Sequence, residues 1–428
     1  MIKKEFQFLN RLSDINNNTG IKFLHRAASP GSHCPMHMAL ATIGNIAGVS
    51  SLVVGMAECG YYSRFVARSP YGKNGELHYV YVLDKNEVVF GCRQGVMDAL
   101  LQMGKEGAEV IVVILTCIPA LIGEDMEAII QELESMMTTK VVFIDGAHFK
   151  RNGYQSGLSN TLEQLIGIID RNPVKDNKSI NIFGVARGEE YLLLKGIIKD
   201  KGYKINEYIH GFSMEDLHHT VEASLSIVFN SKMLKAAKAL QRQGGIPYVS
   251  LAGSYTPSEI AESYSEISKM LSFEESELKQ LLSSKELLEV SVKEMKEKTS
   301  PASFIATYPE LNTLPVTMLL CEAGMIPDLL HIEEFDEESS YYKEKILEKG
   351  QDPYIAYITN EEKTIEAFEV PLSMISLGNC KGLGKEHIIP NMDLARISSL
   401  CGFERSQALL NAVKNIVQNK EEVTYGTL

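Results

Sequence analysis

The sequence predicts an α/β protein of three Rossmann-like domains, with parallel sheets flanked by helices. Three observations lead there. Short β-branched runs recur along the chain, the most apolar being Val110-Ile111-Val112-Val113-Ile114-Leu115-Thr116. Glycine-rich turns follow these runs. Amphipathic stretches of helical length then separate each run from the next, the alternation that crossover-connected parallel strands require.

In a first domain, residues 1–170, strands are expected at 52–55, 88–90, 110–116 and 141–144, each a short apolar run between turn residues. Helices at 95–104 and 124–137 lie between them. Cys34-Pro35 opens another, because proline suits the first helical position. Residues 170–178 are polar, contain a proline and read as a linker. A second domain, 171–255, carries strands at 180–185, 225–229 and 246–251 with helices at 189–199 and 233–243. Residues 256–300 form a helical connection. It starts at the capping box Thr256-Pro257-Ser258-Glu259, and Ser272-Phe273-Glu274-Glu275 repeats the signal. The charges of 274–298 read as a solvated helical face. A third domain, 301–428, has strands at 304–307, 328–332 and 354–358, and a helix at 315–323 closed by Gly324.

Length and charge narrow the function. A chain of 428 residues exceeds one ordinary core, and its 45% apolar content is that of a packed globular protein. A net charge of −13 argues against a nucleic-acid partner. No apolar run reaches membrane-spanning length, so no membrane association is expected. Met1-Ile2-Lys3-Lys4-Glu5-Phe6 lacks the apolar core of a secretory signal, and the expected location is the cytoplasm, where thiols stay reduced. Seven cysteines, an odd number, then point to metal binding or core packing rather than a disulfide framework.

Three of those cysteines stand where an element starts or ends: Ser32-His33-Cys34-Pro35, Glu58-Cys59-Gly60-Tyr61 and Thr116-Cys117-Ile118-Pro119. Ligands of open α/β sheets collect at the carboxyl ends of strands, and helix N-termini favour thiolates. Cys34, Cys59 and Cys117 are therefore candidate iron–sulfur ligands. Zinc is the rival metal, although the paired C-x-x-C of structural zinc sites is absent, and inert core cysteines are the plain alternative. His33 and His37 flank Cys34 as candidate ligands or proton donors, with exposed turn histidines the commoner case. Asp145-Gly146-Ala147-His148 follows a strand on the same side of the sheet. Gly184-Val185-Ala186-Arg187-Gly188 is read as a tight turn rather than an anion loop, and neither Gly72-Lys73 nor Gly384-Lys385 completes a P-loop. His218-His219 reads as surface.

The order of elements resembles the nitrogenase component 1 family. The resemblance rests on Cys34, on Cys59-Gly60-Tyr61-Tyr62-Ser63-Arg64, and above all on Cys117-Ile118-Pro119-Ala120-Leu121-Ile122-Gly123-Glu124-Asp125, beside the family's Cys-x-x-x-x-Ile-Gly-Asp-Asp. Val89-Phe90-Gly91-Cys92 stands where the family has a Phe-Gly-Gly turn, which leaves Cys92 an extra thiol without an assigned role. Gly245-Ile246-Pro247-Tyr248 is similar to the family's second domain. The likeness covers most of the chain and is strongest over 30–125. It departs at the catalytic subunit's cofactor ligands, since 241–300 contain no cysteine or histidine, and Cys380 and His387 match no ligand position. The chain thus looks closest to the β-type subunit.

The resemblance implies an oxidoreductase that is catalytic only within a complex, relaying low-potential electrons. It implies an iron–sulfur cluster on Cys34, Cys59 and Cys117, either 4Fe–4S or a P-cluster-like 8Fe–7S cluster shared with a partner. The partners it implies are a homologous component 1-type subunit, in a homo- or hetero-oligomer, and an ATP-dependent iron–sulfur reductase protein. A metallocluster assembly scaffold of the same family and a metal-free α/β binding protein are the alternatives.

Overall fold

The computed structural model describes residues 8–24, 34–67, 69–150, 156–169, 178–209, 211–298, 302–358, 374–380 and 383–425. The linker expected at 170–178 lies, except for Lys178, outside the described residues, as does His33. The chain divides into two compact units. One comprises 30–184 and 204–248; the other comprises 1–29, 185–203 and 249–428.

Two short strands, β1 (Asn10–Arg11) and β2 (Lys22–Phe23), open the described chain. Next comes a four-stranded parallel sheet of β3 (Val49–Gly55), β4 (His78–Val82), β5 (Val110–Leu115) and β6 (Lys140–Asp145), ordered β4-β3-β5-β6. Residues alternate strictly between its two faces. Val49, Val53, Val110, Val112, Ile114, Val142 and Ile144 join one core with the helices Pro35–Ile43 and Ser156–Gly167. Leu52, Val54, Ile111, Val113, Leu115 and Val141 join another with the helices Arg93–Lys105 and Met126–Leu133. Both faces being covered explains why the central strand β5 reads as an unbroken apolar run.

The strand expected at 88–90 is instead the end of a short helix, Glu87–Phe90, and the neighbour of β3 is β4. Asp84 accepts hydrogen bonds from the Asn86 and Glu87 amides and starts that helix turn. Val89 and Phe90 are exposed, which a buried strand would not allow. As an edge strand, β4 is only half-buried, so its mixed sequence carries no strong apolar signal.

Within the same unit, β7 (Ser179–Phe183) pairs in parallel with β8 (Lys204–Tyr208) and β9 (Leu225–Val228). The order of that sheet is β10-β9-β7-β8, with β10 at Tyr248–Ser250. The other unit holds β11 (Ser303–Ala306), β12 (Ile326–His331), β13 (Tyr354–Tyr357), β14 (Ile375–Leu377) and β15 (Ile388–Ile389), ordered β13-β12-β11-β14-β15. There β1 pairs antiparallel and β2 parallel with β13. The expected class, parallel sheets flanked by helices, is the one observed. Thr256 and Glu259 form both bonds of their capping box, whereas the next helix is boxed by Glu274 and Glu277, two residues beyond the expected Ser272. No helix among the described residues is long and apolar enough to cross a membrane.

Glu76 ties the turn before β3 to the turn before β4, accepting from the Gly48 amide at 3.0 Å and from Asn74 at its amide (3.0 Å) and side chain (3.1 Å). Burial pushes this carboxyl up, but those donors outweigh it and hold the pKa down at about 2. A depressed folded-state pKa means the contribution is full above the ordinary value of 4.5 and is lost as pH falls toward 2. Glu76→Gln is expected to cost about 1–2 kcal/mol at neutral pH, a deficit that shrinks below pH 4 in denaturant unfolding.

Candidate functional site

In the sheet β4-β3-β5-β6, the strand order reverses between β3 and β5, and ligands of open α/β sheets collect beyond the carboxyl ends of the strands at such a point. Two of the three predicted cysteines follow these two strands. Cys59 lies in the helix Ala57–Ser63 after β3, and Cys117 is the first residue of the helix Cys117–Leu121 after β5. Cys34 is the N-cap of Pro35–Ile43, with the predicted proline at the next position. That helix packs on the same core as Cys34 and Cys59 themselves.

The three sulfurs share one neighbourhood. The Cys34 thiol is raised to about 11, mainly by burial, with the sulfurs of Cys117 and Cys59 adding to the shift. The amides of Met36 and His37, at the start of the helix, pull it the other way. Cys117 accepts a hydrogen bond from the His148 amide at 3.3 Å, so the loop after β6 reaches the site through its backbone. Thr116 donates to the Val54 carbonyl through both its amide (3.0 Å) and its hydroxyl (2.8 Å), locking the end of β5 to β3. All three cysteines are free thiols and half-buried.

The raised Cys34 pKa has a direct consequence. A thiol whose folded pKa lies above the ordinary value of 9 adds stability below pH 9, and loses it as pH rises through 11. In metal-free protein, alkylation of Cys34 is expected to climb about tenfold per pH unit until close to pH 11. Site-resolved mass spectrometry checks this; a plateau below pH 9 contradicts it.

The remaining sequence candidates separate from the trio. Cys92 is buried in the core on the opposite face of the sheet, and burial together with Glu124 pushes its thiol to about 12. Cys380 packs in an apolar cluster with Ile305 and Leu329, and burial pushes it to about 12 also. His387 turns Nδ1 to the Met374 carbonyl at 3.2 Å. His218 and His219 are exposed, the latter paired with Glu222. The turn before the helix Glu189–Asp200 is no open anion cradle, because the Glu404 carboxylate accepts from the Glu190 amide at 3.3 Å. His37 meets the Tyr62 ring, with centroids 6.4 Å apart.

The same unit carries exposed apolar side chains that periodicity alone does not reveal. Tyr61, Phe65, Phe90 and Leu121 are 54%, 61%, 85% and 67% exposed. Tyr61 and Leu121 share short helices with Cys59 and Cys117, and Phe65 makes an edge contact with Tyr61. Apolar side chains in these numbers read as core in a sequence; only packing shows that the described residues of this unit leave them exposed.

Among the described residues, no three His, Cys, Asp or Glu side chains converge on a single-ion position. A multi-iron cluster makes a different demand: its thiolates each bind a separate iron, so soft donors spread around a shared crevice suit it. The trio fits that demand in donor type, in redox state and in having an amide aimed at sulfur.

Fold and site together define an α/β protein with three free thiols near the carboxyl edge of a parallel sheet, at the point where its strand order reverses. The chain belongs to the nitrogenase component 1 type oxidoreductases, whose family model matches residues 34–421. Similar relatives include a light-independent protochlorophyllide reductase subunit of Anthoceros angustus, 27% identical over 199 residues, covering 42% of this chain and 38% of the relative. The corresponding reductase subunit of Staurastrum punctulatum is 26% identical over 185 residues, covering 39% and 36%. The chain thus spans less than two-fifths of the length of these curated relatives. A solved structure titled "Nitrogenase Cp1 at pH 6.5" shares the fold, with a TM-score of 0.62 at 16% identity, covering 93% of this chain and 94% of that one.

Proposed function

We propose that this chain is the iron–sulfur subunit of a nitrogenase-like reductase complex, with Cys34, Cys59 and Cys117 as the protein ligands of the cluster. The observation that carries the reading is the meeting of three reduced, half-buried thiols at the carboxyl edge of one parallel sheet. When bound, the cluster supplies single-electron transfer at low potential. The chain's own residues do the rest. Cys34 must release its proton on loading, which its raised pKa opposes and the helix-start amides of Met36 and His37 favour. The His148 amide stabilises charge on the Cys117 sulfur. The half-burial of the trio keeps bulk water from its inner side.

A homologous subunit covers the exposed Tyr61, Phe65 and Leu121, because exposed apolar side chains on the elements that carry a redox site suit a contact surface. A separate ATP-hydrolysing reductase delivers the electrons, in keeping with the lack of a complete P-loop in this sequence. The whole complex works in the reducing cytoplasm.

Anaerobic purification with iron and sulfide analysis, and electron paramagnetic resonance after dithionite, tests the reading. About four irons per chain with matching sulfide support a 4Fe–4S or shared larger cluster. A folded chain that takes up no iron on anaerobic reconstitution overturns it.

A further inference from the structure

We propose that Glu124 is the positioning residue for Cys117, holding its turn in place by gripping the amide of Cys92. This rests on the cluster reading above for its purpose, though not for its geometry. The Glu124 carboxylate accepts from the Cys92 amide at 2.7 Å, across 32 positions of sequence. Cys92 is the N-cap of the 13-residue helix Arg93–Lys105 and makes no side-chain cap of its own, because its sulfur is buried in the core. The helix start therefore takes its capping carboxylate from the Cys117 segment, with the favourable charge–dipole sign. Gly91 permits the approach: it sits at φ 92°, and a Cβ there would lie 3.2 Å from the Glu124 oxygen.

The grip is transmitted along a short, stiff path. The Glu124 amide donates to the Pro119 carbonyl at 3.1 Å, and the Ile122 amide to Ile118 at 3.0 Å, so the segment is wound onto the helix Cys117–Leu121. At the other end, Thr116 is bonded to Val54 of β3. Cys117 thus hangs between two fixed points, and only the distal one depends on a side chain from its own loop beyond the helix. The next residue, Asp125, does a different job: its carboxylate accepts from the Ala128 amide at 3.0 Å and caps Met126–Leu133. Two adjacent acidic residues therefore divide the work, one fixing the thiol-bearing turn and one starting the following helix.

The test uses the full chain under anaerobic conditions and two readouts: site-resolved alkylation of the metal-free protein, and iron per chain after reconstitution. Glu124→Ala is expected to change the Cys117 alkylation rate by about threefold or more, leave Cys34 and Cys59 at parental rates, and halve the iron. Glu124→Gln is expected to restore both readouts, since its amide oxygen still accepts from the Cys92 amide. Asp125→Ala loses a cap of similar strength and is expected to leave Cys117 unchanged. Should Glu124→Ala not fold, Glu124→Asp, which draws the carboxylate back by one methylene, is read in the same way. Parental Cys117 reactivity in the Glu124 variant, or an equal change in Asp125→Ala, overturns the proposal. If the parent chain itself takes up no iron, the cluster reading fails, and the alkylation data still decide the role of Glu124.

Discussion

Cys117→Ala is expected to strip the iron from the chain while leaving the fold standing, and Cys92→Ala is expected to do the reverse. The contrast follows from where the two sulfurs sit. Cys117 is half-buried at the start of a five-residue helix, with its sulfur turned to the His148 amide and into the neighbourhood of Cys34 and Cys59. Its loss removes a proposed ligand but little packing, at a cost of about 0.5 kcal/mol. Cys92 lies in the core between the sheet and Arg93–Lys105, only 1% exposed, where losing the sulfur leaves a small cavity worth about 1–2 kcal/mol. Iron analysis and the dithionite-reduced resonance signal should fall at least about tenfold in the first variant and stay at parental level in the second. Denaturant midpoints of the metal-free chain should move further in the second than in the first. Iron retained in Cys117→Ala would remove this residue from the ligand set.

Gly157→Ala carries the second large effect. The helix Ser156–Gly167 crosses Pro35–Ile43 so closely that a Cβ on residue 157 would lie 2.2 Å from the Pro35 carbonyl oxygen and 2.6 Å from the Ala39 amide nitrogen. Both obstacles are backbone, so no rotamer relieves them, and the helices must separate. Overpacking of this kind costs about 3 kcal/mol, and it displaces the helix whose N-cap is Cys34. The variant is expected to lose stability and iron together. Gly196→Ala is the matching control. It lies within the helix Glu189–Asp200, and a Cβ there would meet nothing within 4 Å. The same chemical change should therefore stabilise by about 0.5–1 kcal/mol through helix propensity. Thermal midpoints moving in opposite directions for the two variants bear this out; equal shifts refute it.

The difference between what is legible in the chain and what is not has physical causes. The run at 110–116 is readable because β5 is central and buried on both faces, so every residue has to be apolar. The Cys34-Pro35 helix start is readable because proline at the first turn acts locally. By contrast, β4 escapes a reading by apolar runs and 88–90 passes for a strand. An edge strand needs few apolar residues, and Val-Val-Phe can equally end a helix exposed to solvent. Of the candidate site, the chain positions of Cys34, Cys59 and Cys117 are visible, but the contacts of His148, Thr116 and Glu124 are not. Those join residues roughly thirty to sixty positions apart and leave no trace in local pattern.

Local pattern was thus enough for the class of fold and for the chain positions of the three thiols at element boundaries, because periodicity, capping and chemical identity act over a few neighbouring residues. Which cysteines meet was settled only by packing: Cys92 is as near as Cys59 to a helix start in the chain, yet it points into the opposite core. Packing also separated the roles of Glu124 and Asp125, since one reaches the Cys92 amide and the other only its own helix. A strand's two faces are set by its pleat, and which face a following side chain joins depends on how the sheet is wound.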